Sequence, residues 1–178
     1  AHLSSVFFGG GTPSLMPPIL VSDILDCLGD LFTLDPDIEI TAEANPSSTE
    51  IKKMTAFRAA GINRLSIGVQ SLEPKILSFL GRAHSQHEAL TAIERGQSLF
   101  PRVSADFMYG LPDQTPKEWQ EQLNIIIKLG LSHISAYQLT IEPGTQFYSR
   151  TRAGETLTCD NDVMADLYDL TTDMFAST

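Results

Sequence analysis

The chain has 178 residues, a hydrophobic fraction of 42% and a net charge of −10 from 22 acidic and 12 basic residues. This length and composition fit one globular domain with its own core and exclude a disordered chain. The acidic balance argues against DNA or RNA as a partner, and no apolar run is long enough to cross a bilayer. The two cysteines are too few for a disulfide framework or a metal cluster, which favours a reducing compartment such as the cytoplasm.

Strand-like segments alternate with helical patterns along the chain and predict repeated βα units with a parallel sheet. The strands are expected within 6–14, 38–46, 64–72, 103–112 and 133–145. The helices are expected at about 17–32, 50–60, 74–80, 86–100, 116–129 and 161–175. In parallel α/β folds the chemistry lies at the carboxyl ends of the strands, so the polar residues and glycines found there predict one shared site.

The first strand runs directly into Gly9-Gly10-Gly11-Thr12-Pro13. Consecutive glycines let the backbone approach a bound group closely, although a tight turn explains the same pattern equally well. The helix that follows carries Cys27 near its apolar side, and this cysteine is expected in the core. A capping box is expected at Thr115-Pro116-Lys117-Glu118.

Three of the strands alternate between apolar and polar residues, whereas a parallel strand buried on both faces should be apolar throughout. The apolar set is expected to face the helices, which leaves seven small or polar residues facing inward: Thr41, Glu43, Ser66, Gly68, Gln70, Ser104 and Asp106. This lining predicts a cavity whose hydrogen-bond partners come from water or a ligand. The alternative to a cavity is an amphipathic sheet with one face exposed to water.

Four charged or amide side chains form the candidate binding set: Glu43, Gln70, Arg82 and Asp106. A carboxylate at position 43 suits an ammonium group, and Arg82 suits either one of the acids or a ligand carboxylate. Taken singly, each is equally well explained as a structural or solvated residue. The four histidines lack metal-ligand spacing and are interpreted as structural or surface residues.

The segment 149–158 is rich in small and polar residues and predicts a linker. We therefore expect a core-domain segment at 1–150, followed by a linker and the start of a helical segment at 151–178. Because a strand begins almost at Ala1, where an upstream neighbour is expected, the chain is interpreted as the middle of a longer protein.

The order and spacing of several motifs closely resemble the radical S-adenosylmethionine family of oxygen-independent coproporphyrinogen III oxidases. They cover about residues 4–150 and read FFGGGTPSL, TAEANP, AAGINRLSIGVQSL, LGRAHS, DFMYGLPDQT and YQLTIEPGT. The segments EANP and YQLTIEPGT resemble the heme-chaperone branch of this family.

The resemblance implies an α/β fold, an open partial TIM-type (β/α) barrel truncated at both ends. It implies S-adenosylmethionine and a 4Fe-4S cluster as cofactors, and heme for the chaperone branch. The expected S-adenosylmethionine-binding residues are Gly10, Gly11, Thr12, Glu43, Gln70, Arg82 and Asp106. The family's cysteine triad is expected upstream of residue 1, so no catalytic residue and no metal ligand is assigned to this chain.

The expected function is that of a cytoplasmic heme chaperone that binds heme and an iron–sulfur cluster. One alternative is a true coproporphyrinogen III oxidase, which decarboxylates porphyrinogen propionates oxidatively. Another is a non-enzymatic small-molecule-binding barrel. The expected partner is heme or another tetrapyrrole, with an electron donor that the sequence does not identify and with no nucleic acid. Alone, this segment is expected to be inactive.

Overall fold

The computed structural model of the chain describes residues 1–176, apart from the side chains of residues 48 and 49. Within these residues, five strands form one sheet in chain order: β1 (His2–Phe8), β2 (Thr33–Ala44), β3 (Arg64–Gln70), β4 (Arg102–Tyr109) and β5 (His133–Gln138). A 3-10 turn (Pro13–Leu15) follows β1. The helices are α1 (Pro18–Leu31), α2 (Ser48–Ala59), α3 (Pro74–Phe79), α4 (Gln86–Leu99), α5 (Pro116–Lys128), α6 (Gln146–Arg152) and α7 (Asn161–Ala176).

The sheet order confirms the predicted βα succession. β2 pairs in parallel with β1 on one side and with β3 on the other, with Val6 opposite Ile40 and Glu43 opposite Ser66. Asn63 extends the contact between β2 and β3, because its side-chain amide accepts from the Ile40 N–H at 2.8 Å and donates to the Ile38 carbonyl at 2.7 Å.

Local capping explains where the helices begin. The predicted capping box of α5 is present: the Thr115 hydroxyl accepts from the Glu118 N–H, and the Glu118 carboxylate accepts from the Thr115 N–H. Ser85 and Glu88 form the same reciprocal pair at the start of α4. Each pair satisfies amide groups that the first turn of a helix otherwise leaves without a partner.

The chain divides into two compact units. The first contains Ala1–Asp106 and Ser132–Ile134, and the second contains Phe107–Leu131 and Ser135–Thr178. In the first unit, a Cβ at Gly96 of α4 would lie 3.4–3.5 Å from the side chains of Ile67, Leu65 and Val103. The apolar set of the alternating strands therefore faces α4, as the sequence predicts.

The second unit has its own core around Trp119. This side chain is fully buried, its Nε1–H donates to Thr171 Oγ1 at 2.8 Å, and its ring centroid lies 5.7 Å from that of Tyr109. The loop after β4 is held by Gln114, whose Oε1 accepts from the N–H groups of Gly110 and Leu111. The hydrogen bond from Trp119 to Thr171 joins α5 to α7, and the ring contact joins α5 to the end of β4.

One expectation about the helices is wrong. Cys27 is exposed rather than in the core, because α1 packs against β2 and α2 with a face that does not include it. Four apolar residues of α1 are exposed as well, namely Ile19, Leu20, Ile24 and Leu31, whereas Val21 is buried. The expected linker at 149–158 overlaps α6 at residues 149–152 and stays a prediction. The N-cap hydroxyl of α6, on Thr145, accepts from the Tyr148 N–H. The predicted domain boundary at 150/151 also falls inside α6 and stays a prediction.

In the described part of the chain, no helix is both long and apolar enough to cross a bilayer.

Candidate functional site

The glycine turn after β1 forms one wall of the candidate site. Gly10 and Gly11 have φ angles of +80° and +58°, in the left-handed region that glycine adopts without steric cost. A Cβ at either position would meet nothing within 4 Å, so the backbone, and not crowding, requires glycine there. The space beside both Cα atoms is consequently open, and a ligand can approach the turn there.

Glu43 at the end of β2 contacts this turn directly. The Gly10 N–H donates to Glu43 Oε2 at 3.2 Å, and a Cβ at Gly9 would lie 3.5 Å from the Glu43 Cδ. The structure thus brings together the glycine turn and the carboxylate that the sequence singled out. An ionised carboxylate accepts about four hydrogen bonds, so the bond from Gly10 leaves capacity for an ammonium group.

A cavity of about 290 Å³ lies against the same turn. Its lining is partly aromatic and partly backbone: Phe7, Phe8, Gly9, Gly10, Thr12, Pro13 and Met16. Thr12, the third residue predicted for this turn, is therefore part of the wall. A cavity with apolar sides and a few directed polar groups is typical of a small-molecule site.

Gln70 ends β3 in a strained conformation. Its φ is +68°, and the Ser71 N–H donates to the Val69 carbonyl at 2.8 Å, which closes a γ-turn around Gln70. A Cβ at Gly68 would lie 3.2 Å from Gln70 Nε2, so the amide extends over Gly68. Positive φ at a non-glycine residue is rare and concentrates at functional sites. The alternation of the strand did not reveal this strain.

Arg82 is placed by the end of α3 and by its neighbour His84. The Arg82 N–H donates to the Leu77 carbonyl at 2.8 Å and completes the C-terminal cap in which Gly81 takes a φ of +67°. His84 Nε2 lies 3.0 Å from the Val69 carbonyl, and burial lowers the pKa of this imidazole. His84 thus ties Arg82 to the end of β3, and partial burial also lowers the pKa of the Arg82 guanidinium.

Asp106 on β4 is held by a row of hydroxyl groups. Ser66 Oγ donates to Asp106 Oδ1 at 3.2 Å, and Ser104 Oγ lies 3.1 Å from Ser66 Oγ. Because Ser66 is also opposite Glu43 in the sheet, Glu43 and Asp106 flank the same serine. Among the described residues, neither Gln70 nor Arg82 hydrogen-bonds to Glu43, although Gln70 lies at the same carboxyl end of the sheet.

The polar inner face differs from its prediction in one respect. Thr41 and Ser104 are buried, and Arg64 donates to both hydroxyls, at 3.4 Å and 3.3 Å. Within the described residues, every buried side-chain nitrogen and oxygen has a protein partner. The prediction that water or a ligand must supply those partners is therefore wrong for the middle of the strands, because Arg64 and the hydroxyls satisfy one another.

Glu50 on α2 helps to hold the candidate site together, and the sequence analysis did not identify it. Its carboxylate accepts from the Asn45 N–H at 2.7 Å and from the hydroxyls of Ser14 and Ser47, and the side chain is buried. Lys53, one turn later, donates to the carbonyls of Ser14 and Leu15. Together they hold the segment after the glycine turn against the loop after β2. The sequence feature that could have identified Glu50 is its spacing from Ser47, which is that of a capping box.

Comparison with known protein families identifies the superfamily of the chain. The model of the radical SAM superfamily matches residues 1–126, and these contain the glycine turn, Glu43, Gln70, Arg82 and Asp106. The chain belongs to the radical SAM superfamily.

Sequence relatives show which members of the superfamily the chain resembles. The chain is 44% identical over 168 residues to the Bos taurus protein "Radical S-adenosyl methionine domain-containing protein 1, mitochondrial", covering 94% of the chain and 38% of that protein. It is 39% identical over 167 residues to the "Heme chaperone HemW" of Mycobacterium tuberculosis, covering 93% and 43%. The chain thus spans about two fifths of the length of these relatives.

A solved structure supports the same assignment. Coproporphyrinogen III oxidase (HemN) from Escherichia coli has a TM-score of 0.83 and 25% identity, over 99% of this chain and 41% of that one. The archaeal Elp3 of Methanocaldococcus infernus is similar in fold, with a TM-score of 0.73 at 18% identity. These similarities confirm the predicted α/β partial-barrel fold class of the radical SAM core.

The residues of the first unit fit one of the two cofactors that this superfamily implies. The open glycine turn and the adjacent carboxylate are suited to the amino-acid end of S-adenosylmethionine. The described residues contain no group of three or more His, Cys, Asp or Glu side chains that could hold a metal ion. A 4Fe-4S cluster needs several thiolates, whereas this chain has Cys27 and Cys159, so its ligands are not assigned here.

Proposed function

We propose that the carboxyl ends of β1 to β4 bind S-adenosylmethionine. The observation that carries the proposal is the hydrogen bond from the Gly10 N–H to Glu43, which joins a carboxylate to a glycine turn with open space beside its Cα atoms. The methionine part of S-adenosylmethionine carries an ammonium and a carboxylate. An acidic side chain beside exposed backbone groups matches this pair of charges.

Each of the seven residues has a role in this proposal. Gly10, Gly11 and Thr12 offer backbone groups to the methionine part, and Glu43 accepts from its ammonium. Asp106, held by Ser66, is suited to accept from the ribose hydroxyls. Gln70 and Arg82 supply amide and guanidinium donors from the end of β3 and from the segment after α3.

In this family S-adenosylmethionine and a 4Fe-4S cluster together supply one-electron chemistry. The contribution of this chain is to hold and orient the cofactor. Glu43 fixes the amino group, and the buried Glu50 stabilises the segment beyond the turn, so the site is organised before the cofactor arrives. Because less ordering is then required on binding, this arrangement favours affinity.

We further propose that the whole protein is a heme chaperone of the radical SAM superfamily. Relatives named heme chaperone from Mycobacterium tuberculosis and Bacillus subtilis, at 39% and 34% identity, support this proposal. The second candidate is an oxygen-independent coproporphyrinogen III oxidase, which the similarity to HemN favours. Sequence identity ranks the chaperone first, because the value for HemN is 25%.

One pair of assays on the intact gene product separates the two functions. Anaerobic incubation with coproporphyrinogen III and a reductant measures decarboxylation, and titration with heme followed by absorbance measures heme binding. The proposal predicts saturable heme binding and no decarboxylated product. Decarboxylation without heme binding would identify the oxidase instead.

A further inference from the structure

A second polar cavity lies at the opposite ends of the strands from the candidate cofactor site. It has a volume of about 380 Å³ and is lined by Glu39, Arg64, Arg102, Val103, Ser132 and His133. Arg64, Arg102 and His133 are the first residues of β3, β4 and β5, whereas Gln70 is the last residue of β3. The whole cavity belongs to the first unit. None of the residues proposed to bind S-adenosylmethionine lies at this end of the sheet.

Positive charge exceeds negative charge at this cavity. Glu39 lies between the two arginines, with Oε2 at 2.8 Å from Arg102 Nη1 and Oε1 at 3.8 Å from Arg64 Nη1. One carboxylate therefore neutralises one of two guanidinium groups, and one positive charge remains. This local excess is notable in a chain whose net charge is −10.

The Arg64 guanidinium is held in position before any ligand binds. Its side chain is 19% exposed, and its two terminal nitrogens donate to Thr41 Oγ1 at 3.4 Å and Ser104 Oγ at 3.3 Å. A guanidinium has five N–H donors in a fixed plane, so these contacts leave donors for another acceptor. Since the side chain is already ordered, little conformational entropy is lost when an anion binds.

We propose that this cavity binds a small molecule through an oxyanion group, a phosphate or a carboxylate. Two guanidinium groups near one cavity match the oxygen atoms of such a group, and the Ser132 hydroxyl and the His133 imidazole add further polar groups to the wall. The volume exceeds that of one phosphate ion, which leaves room for the body of a small metabolite. The strongly acidic chain disfavours a nucleic-acid polymer as the source of the phosphate.

Calorimetric titration of the purified protein with inorganic phosphate, and separately with succinate, tests this proposal at constant ionic strength. Arg102→Gln is the main variant, because the Arg102 side chain is 56% exposed and its loss spares the core. We expect this change to weaken oxyanion binding by roughly 10- to 100-fold, as the loss of a charge-assisted hydrogen bond does. Whichever of the two probes binds more tightly identifies the type of oxyanion.

Two further variants sharpen the test. Arg95→Gln removes an exposed guanidinium that contacts Thr55 and lies outside the cavity, so it should leave oxyanion binding unchanged. Glu39→Gln removes the carboxylate that competes for both arginines, so it should tighten oxyanion binding several-fold. A melting curve for each variant checks that the protein is folded.

The absence of oxyanion binding at millimolar concentration would overturn the proposal. Equal binding by the unmodified protein and by Arg102→Gln would overturn it as well. In either case the arginines and Glu39 would be a structural ion-pair cluster. None of these outcomes bears on the cofactor site, because S-adenosylmethionine affinity is measured separately at the other end of the strands.

Discussion

The backbone N–H of Gly10 donates to Oε2 of Glu43 at 3.2 Å, which joins the turn after β1 to the end of β2. These residues are 33 positions apart in the chain and come together because β1 and β2 pair in parallel. A parallel sheet places the ends of consecutive strands side by side, so each βα unit contributes one wall to a common site. The cofactor site proposed for this radical SAM protein depends on that geometry.

Strain at Gln70 gives the first prediction. In an ordinary strand, glycine is less stable than alanine by roughly 0.5–1 kcal/mol. At position 70, where φ is +68°, we expect the opposite order, with Gln70→Gly more stable than Gln70→Ala by about 1 kcal/mol. Urea denaturation of both variants measures the difference. If alanine proves the more stable, the γ-turn at Gln70 is not strained.

Glu50 gives the second prediction. Its buried carboxylate accepts from the Asn45 N–H and from two serine hydroxyls, so Glu50→Gln should lower the free energy of unfolding by about 1–3 kcal/mol. Glu94→Gln, at an exposed position of α4, is the control and should change it by less than about 0.5 kcal/mol. Equal effects of the two changes in chemical denaturation would show that Glu50 does not hold the segment after the turn.

The buried His84 gives a pH dependence. Burial lowers the pKa of the folded imidazole below its ordinary value of 6.5, so the unfolded chain takes up a proton before the folded chain does. Stability should therefore be complete above about pH 6.5 and fall as the pH is lowered towards the folded pKa. Denaturation at pH 8, 7, 6 and 5 should show this loss, and His84→Gln should reduce it. An identical pH profile in the variant would contradict the assignment.

The sequence predicted the parts of this structure that depend on short-range pattern. Alternation along β2, β3 and β4 assigned Ile67 and Glu43 to opposite faces, because side chains in a strand alternate strictly. The spacing of Thr115 and Glu118 likewise located the start of α5. Both features need only neighbouring residues.

The remaining features depend on contacts between distant residues. The positive φ of Gln70 arises where Val69 accepts from both Ser71 and His84, which no local pattern encodes. The exposure of Cys27 depends on which residues cover α1. The helix α6 was not predicted, because its segment is rich in small and polar residues. The cavity at Arg102 was missed because its residues come from the beginnings of three strands and from the middle of β2, which the fold alone brings together.

The affinity of the intact gene product for S-adenosylmethionine tests the central proposal most directly. Glu43→Gln keeps the shape of the side chain but removes the charge that we propose binds the ammonium group. We predict a loss of roughly 1.5–3 kcal/mol in binding free energy, about one to two decades in affinity by calorimetry, with an unchanged melting temperature. Glu121→Gln, at an exposed position of α5, is the control and should bind as the unmodified protein does. Equal affinity of the Glu43→Gln variant and the unmodified protein would contradict the proposed cofactor site.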